Sequence, residues 1–399
     1  MIEKAADIVV QSKKKENVIV VVSAMSGVTD GLDKLCELAK KGEIDKVLSR
    51  LVELREKHDT VARKICKDSC DINYVNKVQE YFGNLESILK GVSLLSEVSD
   101  KTKAKVLYFG EIFSAILLAL AIKQRGIDSH SYRSKDLIYC DGSYLNGEYD
   151  YEKSREQVER FMKNISLIKE IPVVTGFGGG DADGNIYLFD RGGSDYVATV
   201  LGRLVMASRV EIWTDVYGVM SADPRKVKKA ILWDKLDYAV CAEFALVGAK
   251  ILHPKTISPV QEKDIPVYIK NTFDPEAFGT KICSMKASGV KGISIDDKQM
   301  IFTFIDPYML GVAGYLYDVV KVFRDKGVSI DALATTETSF SISIRKKYYT
   351  RSLEKAFDHM REHFRLSIRD NVSKISIIGD SIDNYKILNK LKDVIMVSK

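Results

Sequence analysis

Five short apolar runs decide what this chain can fold into. They are "VIVVVSA" (18–24), "IPVVTGFGGG" (171–180), "NIYLFDRGGSD" (185–195), "RVEIWTDVYG" (209–218) and "IPVYIKN" (265–271). The first is β-branched throughout and stops at a Ser-Gly-Thr cluster, the look of a buried parallel strand. Each of the others reads as a strand that ends in a Gly- or Asp-rich turn, and helical patterns lie between several of them. Strands alternating with helices predict an α/β fold with a mainly parallel sheet. In such sheets ligands bind beyond the carboxyl ends of the strands.

A long helical region is expected from about Gly31 to Gly126. Its apolar stretch Ile112 to Ile122 ("IFSAILLALAI") is too short to cross a bilayer and reads as a buried helix. The start of the chain carries no secretory pattern, so a cytoplasmic protein with no membrane partner is expected. A net charge of +5 over 399 residues gives no basis for nucleic-acid binding. The six cysteines show no paired metal-ligand spacing, so reduced thiols and no metal held by protein side chains are expected.

The pattern changes after about Cys283. "SMKASGVKGISIDDKQ" (284–299) is polar, contains Gly and reads as a linker. The order strand (Met300 to Ile305), helix (Ala313 to Lys326), strand (Ser329 to Ala334), strand (Phe340 to Arg345), helix (Ser352 to Phe364), strand (Leu366 to Ile368) predicts a small βαββαβ sandwich. "KISIIGD" (374–380) then echoes "MIFTFID" (300–306), as if a second, shorter copy begins.

The chemistry concentrates at "FDRGGSDYVATVL" (189–201). Gly192 and Gly193 let backbone approach a ligand, Ser194 is a candidate helix cap, and Asp195 falls in the first turn. Arg191 is out of place at a helix N-terminus unless an anion lies between the two. "TGFGGGDADGN" (175–185) and "WTDVYGVMSADPR" (213–225) are polar loops at other strand ends, and such loops converge on one crevice. Glu111 is an isolated charge in an apolar helix, which a polar crevice explains.

Together these segments resemble the amino-acid kinase family, and within it the aspartokinase branch, over nearly the whole chain. "VVVSAMSGVTD", "GEIFSA", "TGFGGGDADGN", "DRGGSDYVATVL", "EIWTDVYGVMSADPR", "EFALVGAKILHP" and "PVYIKNTFDPEAFGT" occur in the family's order. The segment from "YMLGVAGYLYDVV" to "SFSISI" resembles the first ACT domain of that branch. The resemblance implies an amino-acid-kinase three-layer sandwich at 1–285, a first ACT domain of α+β type at 298–370 and a shortened second ACT unit at 371–399.

It also implies ATP-dependent phosphorylation of the L-aspartate side-chain carboxylate with Mg²⁺, the first step toward lysine, threonine and methionine. A kinase for another acceptor, or a non-catalytic amino-acid-binding relative, remains open at this point. By resemblance, Ser23, Thr29, Glu111 and Arg191 bind substrate, with Arg191 on its α-carboxylate and Glu111 on its α-ammonium. Gly192, Gly193 and Ser194 present donors to the transferring phosphate, and Asp195 orients catalytic groups. Thr214, Asp215, Gly218, Met220, Arg225 and Lys250 contact the nucleotide, Met220 standing where the family often has Tyr. An effector amino acid, lysine above all, is expected near Met309, Gly314, Tyr315, Leu316, Ser329, Asp331, Thr335, Thr336 and Glu337. ACT domains of the family pair, so a homodimer or larger assembly is implied. The family's opening strand and Lys-Phe-Gly-Gly-Thr-Ser loop have no counterpart in these 399 residues. The resemblance therefore leads us to expect slow or no turnover from the sequence as it stands.

Overall fold

The structure is a computed structural model and describes residues 1–66, 72–190, 192–246, 252–286, 288–309, 314–361 and 364–380. It divides into two units. One takes in the described residues of Met1–Val219, Leu232–Leu246 and Lys250–Ala287, and the other those of Met220–Ile231 and Ser288–Lys399.

The first unit opens with α1 (Ile2–Lys13), β1 (Val20–Val22), α2 (Val28–Lys40), α3 (Ile44–Cys66), α4 (Ile72–Leu95) and α5 (Asp100–Lys123). Periodicity explains the helices. In α2 the buried positions Leu32, Leu35, Cys36 and Ala39 follow one another at helical spacing and form a single apolar stripe. Helix α5 is different, being buried all round from Val106 to Ile122. By length and composition it could cross a membrane, contrary to the reading of its apolar core as too short. It is nevertheless a core helix, with 94% of its most apolar window buried. Packed around it are α2, α3, α4 and strands of the sheet.

There follow β2 (Asp128–Tyr132), β3 (Cys140–Ser143), β4 (Asn146–Tyr149), α6 (Tyr151–Asn164), β5 (Glu170–Thr175), β6 (Gly178–Gly180), β7 (Ile186–Leu188) and α7 (Gly193–Leu204). The unit ends with β8 (Val210–Thr214), β9 (Lys235–Leu236), α8 (Tyr238–Leu246), α9 (Ser258–Gln261), β10 (Val267–Asn271) and β11 (Thr280–Ile282). Strands β1, β5 and β2 form a parallel sheet in that order, with Val22 opposite Thr175. A second sheet runs β8-β10-β11-β9, parallel except between β10 and β11. The expected parallel α/β layer is therefore present, divided into two sheets, with β3–β4 and β6–β7 as antiparallel hairpins. Cys36, Cys140, Cys241 and Cys283 are free, but Cys66 is disulfide-bonded, against the expectation of reduced thiols throughout. Cys70 lies outside the described residues.

The second unit is an antiparallel sheet of order β13-β14-β12-β15. Its elements are β12 (Gly289–Ile305), α10 (Tyr315–Asp325), β13 (Ala332–Thr335), β14 (Ser339–Arg345), α11 (Arg351–Met360) and β15 (Arg365–Asp380). The expected βαββαβ order is present. The stretch read as a linker is not one: from Gly289 onward it is strand, paired with β15 as far as Asp380. "KISIIGD" is accordingly the far half of β15 and continuous with Arg365, so alternation of apolar residues there marks a ribbon extending an existing strand. Both helices cover one sheet face, where Phe302, Phe304, Phe340, Ile342 and Ile344 meet Phe323 and Phe357 in a single core.

Candidate active site

Three chain segments meet at the carboxyl ends of β1 and β5. The backbone N–H of Gly176, just past β5, donates to the carbonyl of Val22 at 2.8 Å. A Cβ at Gly176 would lie 2.5 Å from Ser194 Oγ and 2.7 Å from Val22 O, so only glycine lets β1, β5 and the start of α7 come this close. Gly192, not Ser194, is the N-cap of α7, in a left-handed conformation (φ 77°) and without a side-chain cap bond. The first-turn N–H groups are thus left for an anion. The start of the helix is seated on aromatic residues, since a Cβ at Gly193 would touch both Phe177 and Phe189. Arg191 lies outside the described residues.

Helix α5 brings Glu111 to the same place. Gly110 makes the approach possible, because a Cβ there would meet that of Ala24 at 2.8 Å. The Ala24 N–H donates to Glu111 Oε1 at 3.1 Å. Glu111 Oε2 is buried without a hydrogen-bond partner among the described residues, and the residue is 3% exposed. Burial pushes the carboxyl up to about 7, against the pull of the Ala24 N–H. Asp195, on the first turn of α7, is likewise pushed up by burial to about 6. Two carboxylates with no neutralising cation beside them among the described residues create a demand for positive charge at this crevice. Ser23 is exposed on the loop between β1 and α2, and Thr29 is half-buried on the first turn of α2.

On the other sheet, Thr214 ends β8 and its hydroxyl donates to Asp215 at 3.2 Å. Gly218 adopts φ 147°, and a Cβ there would meet Thr280 Oγ1 at 2.3 Å, so the turn after β8 is closed down on β11. Met220 and Arg225 belong to the second unit. Arg225 donates to both carboxylate oxygens of Asp223, at 3.0 and 2.8 Å, and is otherwise exposed. Lys250 lies outside the described residues.

Of the residues expected around an effector, Gly314 is the left-handed N-cap of α10 (φ 102°), directly before Tyr315 and Leu316. Met309 ends a short helical turn, and Ser329, Thr335, Thr336 and Glu337 are exposed. Asp331 is already engaged: its Oδ2 accepts from Gln299 Nε2 at 3.0 Å and lies 3.7 Å from Arg345 Nε.

Several participants escaped the sequence reading. Beneath the crevice, Thr175 Oγ1 is shared by the Tyr108 hydroxyl, the Ser134 hydroxyl and the Ser134 N–H, and all three residues are buried. No motif announces this network, because its members lie 26 to 67 positions apart. Phe177 holds φ 68° inside the quoted "TGFGGG" turn, a strained value for a bulky residue. His253, from "GAKILHP", packs its Cβ against Gly192. A cavity of about 310 Å³ adjoins the turn, walled by Asn146, Tyr149, Tyr196, His253 and Lys255, and Gly193 is the expected residue that reaches it. Among the described residues, Asp128, His130 and Glu170 bring metal-ligating atoms within 4.8 Å of one another, at the amino ends of β2 and β5, the opposite end of the strands.

Comparison with known proteins follows the same lines. Residues 1–271 match the amino acid kinase family. Aspartokinase 1, chloroplastic, of Arabidopsis thaliana is 28% identical over 94% of this chain and 67% of its own length. Lysine-sensitive aspartokinase 3 of Escherichia coli is 26% identical over 95% of this chain and 84% of its own. A bifunctional aspartokinase/homoserine dehydrogenase of Zea mays is 30% identical, and the chain spans 41% of that relative's length. Among solved structures, E. coli aspartokinase III in complex with lysine and aspartate superposes with a TM-score of 0.77 at 24% identity, over 95% of this chain and 83% of that one.

Proposed function

Because the chain belongs to the amino acid kinase family, we propose that it transfers the γ-phosphoryl group of ATP to the side-chain carboxylate of L-aspartate. The observation that carries this reading is Glu111. A buried carboxylate with one oxygen unpartnered and no neighbouring cation among the described residues is unfavourable, and an α-ammonium is a group that relieves it. Arg191 is assigned to the substrate's α-carboxylate, which leaves its side-chain carboxylate to face the phosphate. The uncapped start of α7, with Gly192, Gly193 and Ser194, offers N–H groups to the transferring phosphoryl oxygens, where preorganised donors act most strongly on developing charge.

Mg²⁺ arrives with the nucleotide and supplies charge neutralisation. Asp195, half-buried and with its carboxyl pushed up by desolvation, fits a bound cation at this site. Asp195 positions the reacting groups, while Thr214, Asp215, Gly218, Met220, Arg225 and Lys250 are assigned to the nucleotide. The lysine-sensitive relative and the lysine-bound structural neighbour support lysine as effector at the ACT-like unit, near Gly314, Asp331 and Glu337. Cytoplasmic location and assembly into dimers through that unit complete the proposal.

The test is ADP release with saturating ATP and Mg²⁺ across aspartate, glutamate, N-acetylglutamate and no acceptor. Slow release that depends on aspartate alone is expected. Equal release with another acceptor refutes the substrate assignment, and amino-acid binding without release supports the non-catalytic alternative.

A further inference from the structure

Building on the proposed role of α7 as the seat of the transferring phosphoryl group, we infer that Tyr108 is a positioning residue for the reaction. Its hydroxyl closes a buried ring that holds the turn beneath the first turn of α7.

Helix α5 is apolar from Val106 to Ile122 except at Tyr108, Glu111 and Ser114. Tyr108 and Glu111 lie three residues apart and so share a face of the helix. Glu111 reaches the loop after β1, and Tyr108 reaches the end of β5. There the hydroxyls of Tyr108, Ser134 and Thr175 meet pairwise. Ser134 Oγ lies 2.9 Å from Tyr108 Oη and 3.1 Å from Thr175 Oγ1, and a bond between Tyr108 Oη and Thr175 Oγ1 closes the ring. The Ser134 hydroxyl donates outward, to the Gly178 carbonyl. The other two hydroxyl hydrogens then stay within the ring, and each finds an acceptor there. The N–H groups of Ser134 and Lys135 donate into it, to Thr175 Oγ1 at 2.8 Å and to Tyr108 Oη at 3.2 Å. Burial pushes the phenol up to about 12, so it keeps its proton at neutral pH. The three residues are at most 1% exposed, so bulk water does not repair the ring once a member is lost.

The ring grips the chain on both sides of Gly176 and Phe177, through the Thr175 side chain before them and the Gly178 carbonyl after them. Phe177 holds φ 68° between these two attachments, and strain of this kind persists only where the surroundings fix it. The same turn carries α7. A Cβ at Gly193 would lie 3.0 Å from the Phe177 ring and 3.2 Å from its Cα, and Gly176 is packed against Ser194. The donors at the start of α7 therefore stand on a turn that Tyr108 helps to hold. Preorganised donors act on developing charge only while their positions are kept.

Titration calorimetry of the full chain with MgADP and with the magnesium complex of β,γ-imido-ATP tests this. The two nucleotides differ at the γ-phosphoryl group assigned to α7, and the ratio of their affinities needs no turnover. Tyr108→Phe should weaken binding of the imido analogue about tenfold and leave that of MgADP within about twofold, with kcat for aspartate-dependent ADP release falling by a similar factor. Thr175→Val should do the same, and Thr175→Ser, which keeps the hydroxyl, should keep the wild-type ratio. Tyr108→Phe and Thr175→Val combined should fall no further than either alone, because the ring is already open. A ring that served stability alone would lower the melting midpoint, followed by circular dichroism, and leave the ratio unchanged in Tyr108→Phe. That result overturns the inference while the phosphoryl-transfer reading stands. A wild type that binds neither nucleotide overturns that reading and this inference with it.

Discussion

Glu111 accepts a hydrogen bond from the backbone N–H of Ala24 through one carboxylate oxygen, at 3.1 Å, while its other oxygen is buried and unpartnered among the described residues. This relationship ties the core helix α5 to the loop after β1. It also makes the crevice unstable when empty, and a measurable trade-off follows. The folded carboxyl is raised above its ordinary 4.5 to about 7, so the folded state holds the proton more tightly than the unfolded one. This group's contribution to stability is therefore greatest at low pH and is lost as pH rises from about 4.5 through about 7. Glu111→Gln should flatten that loss and raise the melting midpoint at pH 8. The same variant should raise the aspartate KM by a factor on the order of 10–100, the cost of losing a charged contact of about 1.5–3 kcal/mol. In the wild type, aspartate affinity should fall as pH drops below about 7, where Glu111 becomes neutral. An aspartate KM independent of pH between 6 and 8 would contradict the role given to Glu111.

Gly176→Ala forces a methyl group against Ser194 and the Val22 carbonyl. Neither backbone nor helix start can yield without moving the start of α7. A loss of about 1–3 kcal/mol in unfolding free energy is expected, with kcat falling more than the KM for aspartate rises. Chemical denaturation and steady-state kinetics on the same preparation check both.

Thr175→Val keeps the shape of the side chain and removes the hydroxyl that Tyr108 and Ser134 share. Groups this deeply buried cannot turn to water. The expected cost is about 1–3 kcal/mol of stability. A shift below about 0.5 kcal/mol on denaturation would mean that the network re-forms without Thr175.

Asp331→Ala removes the shared acceptor of Gln299 and Arg345 in the second unit's sheet. If lysine is the effector, its half-maximal inhibitory concentration should rise tenfold or more while kcat without lysine stays within twofold. Inhibition curves for wild type and variant, run at fixed aspartate, decide this; unchanged inhibition removes Asp331 from the effector site.

The sequence by itself determined the main strands β1, β5, β7, β8 and β10, the alternating α/β architecture, the βαββαβ tail and the Gly-rich turns at strand ends. These are local properties: apolar periodicity in α2, β-branched runs in β1 and β8, and glycines where backbones touch, as at Gly176. It also singled out Glu111, because one charge in an apolar helix is visible without knowing its neighbours. Tertiary structure alone decided the rest. That Ala24 is the partner of Glu111 and that Tyr108, Ser134 and Thr175 share one network are facts about residues far apart in the chain. The ribbon made by 289–297 and 372–380 was read as linker and repeat for the same reason. A polar, Gly-containing segment becomes strand only when a partner satisfies its backbone, and pairing between positions some eighty residues apart leaves no local trace.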